Sequence, residues 1–122
     1  MLSILRHPNI VLLMGICSKK HTELALVFEN CPKGSLYNIL HMGGPDVPLP
    51  TRLKIARDVA SAYTFIHASG IVHRDLKSLN ILVDEAYNVK ICDFGLARFK
   101  SDLNTGYMQF SGTPAYMAPE QF

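Results

Sequence analysis

No CxxC pair occurs in this chain, and its three cysteines (Cys17, Cys31 and Cys92) are odd in number and far apart. Neither a disulfide framework nor a zinc site is indicated, so a reducing, intracellular and cytoplasmic setting is the expectation. Charge is scarce as well. Charged residues make up 18% of the chain, below the roughly 25% usual for a soluble domain, so either some apolar surface meets a partner or part of a larger protein is absent. A net charge of +2 is too small for the electrostatic footprint of a nucleic-acid binder, and no nucleic-acid partner is expected. The longest apolar run, residues 10–17, falls far short of the ~20 residues that span a bilayer. The amino-terminal end has no charged stretch followed by a long apolar core and cleavage site, so no signal peptide is expected. What is present suits one packed domain: 122 residues, of which 48% are apolar.

Two glycines and three prolines break the chain at residues 41–50. Ahead of that break, residues 10–16 and 24–29 read as strands joined by a polar turn over 18–23. Ser35 is placed to cap a short helix over 36–42. The clearest helix covers residues 51–69, where Ile55, Ala56, Val59, Ala60, Ala62, Tyr63 and Ile66 recur at helical spacing and Gly70 supplies the stop. Three short β-branched runs follow at 71–72, 81–83 and 89–92, the last two forming a hairpin around the turn at 84–88. From 93 to 112 the pattern is polar and without period, which reads as a long loop of a length that is usually functional or disordered. Strands, helix and strands again give an α+β fold.

Three patterns then stand in a fixed order: His73-Arg74-Asp75-Leu76-Lys77-Ser78-Leu79-Asn80, Asp93-Phe94-Gly95, and Ala118-Pro119-Glu120 just after Gly112-Thr113-Pro114-Ala115-Tyr116-Met117. Together they resemble the H-R-D-L-x-x-x-N, D-F-G and A-P-E signatures of eukaryotic protein kinases. Arg6-His7-Pro8-Asn9-Ile10-Val11 resembles the segment before that family's fourth strand, so the likeness runs through essentially the whole chain. It implies a partial protein-kinase fold: small-lobe strands over 1–28, a hinge over 29–34, and a large-lobe portion over 35–122 with catalytic and activation loops.

Phosphoryl transfer asks for in-line positioning and for cations that neutralise phosphate charge, with little covalent work by the protein. The resemblance implies ATP and Mg2+ as cofactors and a protein hydroxyl as acceptor. On that basis Asp75 orients the hydroxyl and finally takes its proton, while Lys77 sets a compact positive charge near the γ-phosphate and so also binds the nucleotide. Asn80 and Asp93 supply the hard oxygens that magnesium prefers, and Gly95 allows a sharp turn after Asp93. The backbones of Glu29 and Cys31 meet the adenine edge, Ser35 meets the ribose, Leu82 packs beneath the adenine, and Phe28 stands at the gatekeeper position. For Phe28 and Leu82 plain core packing is the alternative, and for Ser35 the helix cap. His73 and Phe94 are expected to pack on each other, and Cys92 to be a buried, unreactive thiol.

Lys77 together with Thr113 resembles serine/threonine kinases, and the Lys77-Ser78 pair with Tyr116-Met117 resembles their tyrosine-kinase-like group, which includes Raf-type and mixed-lineage kinases. Arg74 is of the kind that receives an activation-loop phosphate placed there by an upstream kinase, with Ser101, Thr105, Tyr107 and Ser111 as candidates. Gln109 stands four residues before Thr113, where the family is often phosphorylated. No glycine-rich phosphate loop, third-strand lysine or partner glutamate is recognisable. Residues 1–122 alone are therefore expected to have negligible transfer activity and to be marginal or aggregating in isolation. The competing expectation is a short, non-catalytic kinase-like binding module.

Overall fold

The computed structural model describes residues 4–19, 23–42, 46–103 and 111–121. The expected turn at 18–23 lies partly outside these residues, and Thr105, Tyr107 and Gln109 lie wholly outside them.

The first apolar run divides between two partners. Its front joins a distant strand, because the Val11 N–H donates to the Ile91 carbonyl at 2.9 Å and the Ile91 N–H donates to the Asn9 carbonyl at 2.9 Å. Only the rest forms β1, Leu13–Lys19, displaced from the expected 10–16. It pairs antiparallel with β2, Glu23–Phe28, in a register that sets Ile16 opposite Leu26, with an irregularity between Leu13 and Gly15. Glu29 falls just beyond the strand.

Ser35 caps α1 (Leu36–His41) as expected, its hydroxyl accepting the Asn38 N–H at 3.2 Å. α2 runs over Leu49–Ala68, starting two residues ahead of the expected 51. Proline suits a first helical turn, whose N–H groups lack intrahelical partners in any case. The helix ends before Gly70, where φ is +70°. Its buried face comprises Ile55, Asp58, Ala62 and Ile66. Ala56 and Ala60, expected on that face, are exposed, while the charged Asp58, which periodicity does not flag, is inside.

β3 (Ile71–Val72), β4 (Ile81–Val83) and β5 (Val89–Ile91) follow, and β4 and β5 form the expected hairpin. Asp84 builds the turn: its carboxylate accepts the N–H groups of Ala86 and Asn88 at 2.8 and 2.9 Å and the Asn88 amide at 2.7 Å. The stretch after residue 93 is not structureless. It holds a 3-10 turn at Phe94–Leu96, a two-residue β6 (Arg98–Phe99) paired antiparallel with β3, and α3 (Lys100–Leu103). A strand two residues long is too short to leave a period in the sequence. The core lies between α2 and the hairpin, where Ile66, Ile71, Val89 and Ile91 are wholly buried, and the chemistry-bearing residues stand at its edge. Among the described residues, no helix is long and apolar enough to cross a membrane.

Candidate active site

The segment between β3 and β4 is held by its own histidine. His73, 1% exposed, sets its Nε2 3.0 Å from the Cys92 carbonyl and accepts the Asp75 N–H on Nδ1 at 3.3 Å. Burial outweighs the nearby carbonyl and carboxylates and holds its pKa below the ordinary imidazole value, so the ring is neutral. Its edge meets the Phe94 ring at a centroid distance of 4.8 Å, the packing expected from the sequence. Arg74 takes a left-handed φ of 67°, its guanidinium reaching the Leu96 carbonyl at 2.8 Å and the Ser111 hydroxyl at 2.9 Å.

Asp75 is the centre of a converging polar group. Its carboxylate meets Lys77 Nζ at 2.7 Å, accepts the Asn80 amide at 2.9 Å and accepts the Thr113 hydroxyl at 2.6 Å. Lys77 Nζ also donates to Thr113 Oγ1 at 2.8 Å, and Asn80 donates to the Asp75 carbonyl at 2.9 Å. Burial pushes the Asp75 carboxyl up, but the hydrogen bonds from Lys77, Thr113 and Asn80 and the Lys77 charge win and hold it below the usual carboxylate value. Three residues from two distant stretches thus hold one ionised oxygen pair.

The hairpin delivers the second carboxylate. Ile81 faces Ile91, the Cys92 N–H donates to the Asn80 carbonyl at 3.0 Å, and Asp93 follows directly. The sharp turn expected at Gly95 belongs to Asp93 itself, with φ 58° and ψ 70°. Gly95 has no left-handed φ; its role is space and a donor. A Cβ there would meet Asp93 Oδ1 at 3.1 Å, where the Gly95 N–H now donates at 3.3 Å.

A cleft of about 690 Å³ adjoins Asp93. Its apolar wall comes from Leu13, Ile16, Leu26 and Phe28 on the β1–β2 sheet, and Leu82, Glu29 and Cys92 complete it. Of the residues singled out from the sequence, the structure brings Phe28, Glu29, Leu82 and Asp93 to this cleft. Cys31 and Ser35 are not among its walls. The Ser35 hydroxyl faces the Asn38 N–H, so its capping role is the one the geometry displays. Cys92 is half-buried rather than buried; burial, then Asp93 and Cys31, raise its thiol to about 11, so it is protonated at neutral pH. Three contacts escaped sequence reasoning. The Glu29 carboxylate accepts the Leu12 N–H at 2.7 Å and pairs with Lys90 at 3.0 Å, and Ser78 meets the Tyr116 hydroxyl at 3.0 Å. All three join residues far apart in the chain, and no local pattern signals them.

A buried aspartate gripped by lysine, asparagine and threonine thus stands one hairpin away from a second aspartate that lines an apolar cleft, on an α+β scaffold. The protein kinase domain family matches residues 1–122, and the chain belongs to that family. It is 46% identical over 119 residues to a probable serine/threonine-protein kinase of Dictyostelium discoideum, covering 98% of this chain and 13% of that protein. It is 48% identical over 120 residues to the serine/threonine-protein kinase CTR1 of Arabidopsis thaliana, covering 95% and 14%. A leaf rust 10 disease-resistance locus receptor-like protein kinase-like protein of the same plant is 47% identical over 122 residues, covering 95% and 18%. The chain thus spans less than a fifth of the length of these relatives.

Proposed function

We propose that this chain is part of an ATP- and Mg2+-dependent protein serine/threonine kinase, with residues 1–28 in the small lobe, 29–34 as hinge and 35–122 in the large lobe. The observation that carries the reading is the convergence of Lys77, Asn80 and Thr113 on the Asp75 carboxylate, one hairpin away from Asp93. The names of the relatives support a serine/threonine acceptor, as does the Thr113–Lys77 contact.

Asn80 and Asp93 suit magnesium. Both polar contacts of the Asn80 amide use its nitrogen, which leaves its hard carbonyl oxygen for a cation, and the Asp93 carboxylate is exposed. Magnesium commonly takes one or two protein oxygens and completes its shell with phosphates and water. When bound, it neutralises charge on the transferring phosphoryl group. The chain's residues do the rest. The apolar cleft holds the adenine against Leu82, with the backbones of Glu29 and Cys31 at its edge and Ser35 nearest the ribose. Lys77 draws the γ-phosphate, and Asp75 accepts a hydrogen bond from the acceptor hydroxyl and aligns it. As the bond from that oxygen to phosphorus forms, the bond to the ADP oxygen breaks and the hydroxyl proton passes to Asp75. With its pKa held low, Asp75 is a weak base, so orientation is its larger contribution and proton transfer comes late.

Among the described residues, Ser111 is the candidate phosphorylation site with a receiver in place, since its hydroxyl already meets Arg74. An upstream kinase acting there would strengthen that tie with ~1.5–2 negative charges. The Ser101 hydroxyl instead donates to Asp102 at 3.0 Å. ATP use and the free thiols support a cytoplasmic location. The direct test is a radiolabel transfer assay on the intact protein carrying this chain, comparing wild type with Asp75→Asn. The expected loss is at least ~10²-fold, as for removal of a positioned acid–base group. Equal rates would overturn the assignment.

A further inference from the structure

A second polar cluster lies behind the β4–β5 hairpin and has no part in the site described above. Lys54, on α2, spends its three donors there. Its Nζ donates to Asp58 Oδ2 at 2.8 Å, to the Tyr87 carbonyl at 3.0 Å and to Asn88 Oδ1 at 2.7 Å. An ammonium has three N–H groups, so this arrangement satisfies it fully. Asp58 is 7% exposed. Burial pushes its carboxyl up, but the Lys54 hydrogen bond and charge, Arg57 and the Val89 backbone hold it below its ordinary value, so Asp58 is ionised. The turn it grips carries one costly backbone conformation: Tyr87 has φ 59°, in a region unfavourable for a bulky residue.

What that turn controls is the neighbourhood of the candidate cation donors. β4 and β5 share three residue pairs, Val83–Val89, Leu82–Lys90 and Ile81–Ile91, and the next step along brings Cys92 to Asn80 and exposes Asp93. A slip of one residue would turn every side chain to the other face, and so short a two-stranded ribbon is marginal by itself. Asn9 grips the outer edge of β5 through the Val89 carbonyl and the Ile91 N–H. Lys54 grips the turn.

We infer, on the kinase reading above, that Lys54 is a positioning residue for the cation-binding pair. Its ammonium fastens the hairpin turn to α2 and thereby keeps Asn80 beside Asp93, touching neither nucleotide nor metal. The test is Mg2+ titration of the binding of a non-hydrolysable ATP analogue to the intact protein, with melting temperatures measured in parallel. Two variants are used: Lys54→Met, and Lys54→Met with Asp58→Asn, in which no uncompensated buried carboxylate threatens folding. In both, the Mg2+ concentration for half-maximal binding should rise about tenfold, the low end of the ~10–100-fold cost of losing an outer-shell support. Binding at saturating Mg2+ should recover. A lowered melting temperature with an unchanged Mg2+ midpoint in the double variant would make Lys54 merely structural and overturn the inference. Failure of the wild type to bind the analogue at any Mg2+ concentration would overturn the kinase reading itself, and this inference with it.

Discussion

Tyr63 carries a hydroxyl that is buried on α2 and meets no partner among the described residues, its ring 5.9 Å from that of His73. Burial, then the charge of Asp75, pushes its pKa far up, so it stays neutral. An unpaired buried hydroxyl costs free energy, so Tyr63→Phe should be neutral or raise stability by about 1 kcal/mol, read as a higher melting temperature. Asp75 behaves in the opposite sense. Its folded pKa lies below the ordinary aspartate value of about 3.9, so its interactions stabilise fully above that pH and are lost as pH falls through the lower folded value. The stability difference between wild type and Asp75→Asn should therefore be constant from neutral pH down to about pH 5 and shrink below about pH 4, as denaturant titration at several pH values would report. The residue types at both positions are plain in the sequence, but their states also depend on burial and on neighbours as distant as Thr113, 38 positions beyond Asp75.

Segment 111–117 is the element whose placement matters most. Gly112 has φ +132°, and a Cβ there would come within 2.7 Å of both the Arg74 carbonyl oxygen and the Met117 side chain. Glycine is what lets the segment lie against the loop before Asp75 and bring the Thr113 hydroxyl to the carboxylate. Gly112→Ala should cost about 1–3 kcal/mol of strain. If that strain is relieved by lifting Thr113 away, kcat/KM falls about tenfold or more. A variant with wild-type kcat/KM would show that the segment's seat is dispensable. The sequence marks Thr113 as a class indicator but not as a ligand of Asp75, because a separation of 38 positions is bridged only by folding. The same holds for β6, whose two residues exist as a strand only because β3 stands opposite them.

At the scale of the whole molecule, apolar surface is the dominant feature. Met14, Ile16 and Leu24 on the β1–β2 sheet are 62–71% exposed, and Leu49 and Leu53 on α2 are 63–66% exposed. Large apolar side chains left in water on both elements favour association. Purified residues 1–122 should therefore elute from a sizing column as an oligomer or aggregate at micromolar concentration, and charged replacements at Ile16 and Leu53 should shift it towards monomer. A monomeric wild-type chain with a sharp cooperative melt would contradict this. The scarcity of charge in the composition is the same fact seen without coordinates.

By itself the sequence determined what local chemistry can determine: the order and identity of the His73–Asn80, Asp93–Gly95 and Ala118–Glu120 motifs, the long helix through residues 51–68, the Ser35 cap and the 84–88 hairpin turn. Each depends on neighbours within a few positions, through helical spacing, side-chain capping or turn-forming residues. Tertiary structure alone decided the rest. It split the first apolar run between Ile91 and β2, moved the left-handed turn from Gly95 to Asp93, took Asp58 inside and exposed Ala56 and Ala60. It also closed Thr113 onto Asp75. These outcomes rest on hydrogen bonds and burial between distant segments, whose free energy outweighs local preference and leaves no period or spacing in the chain.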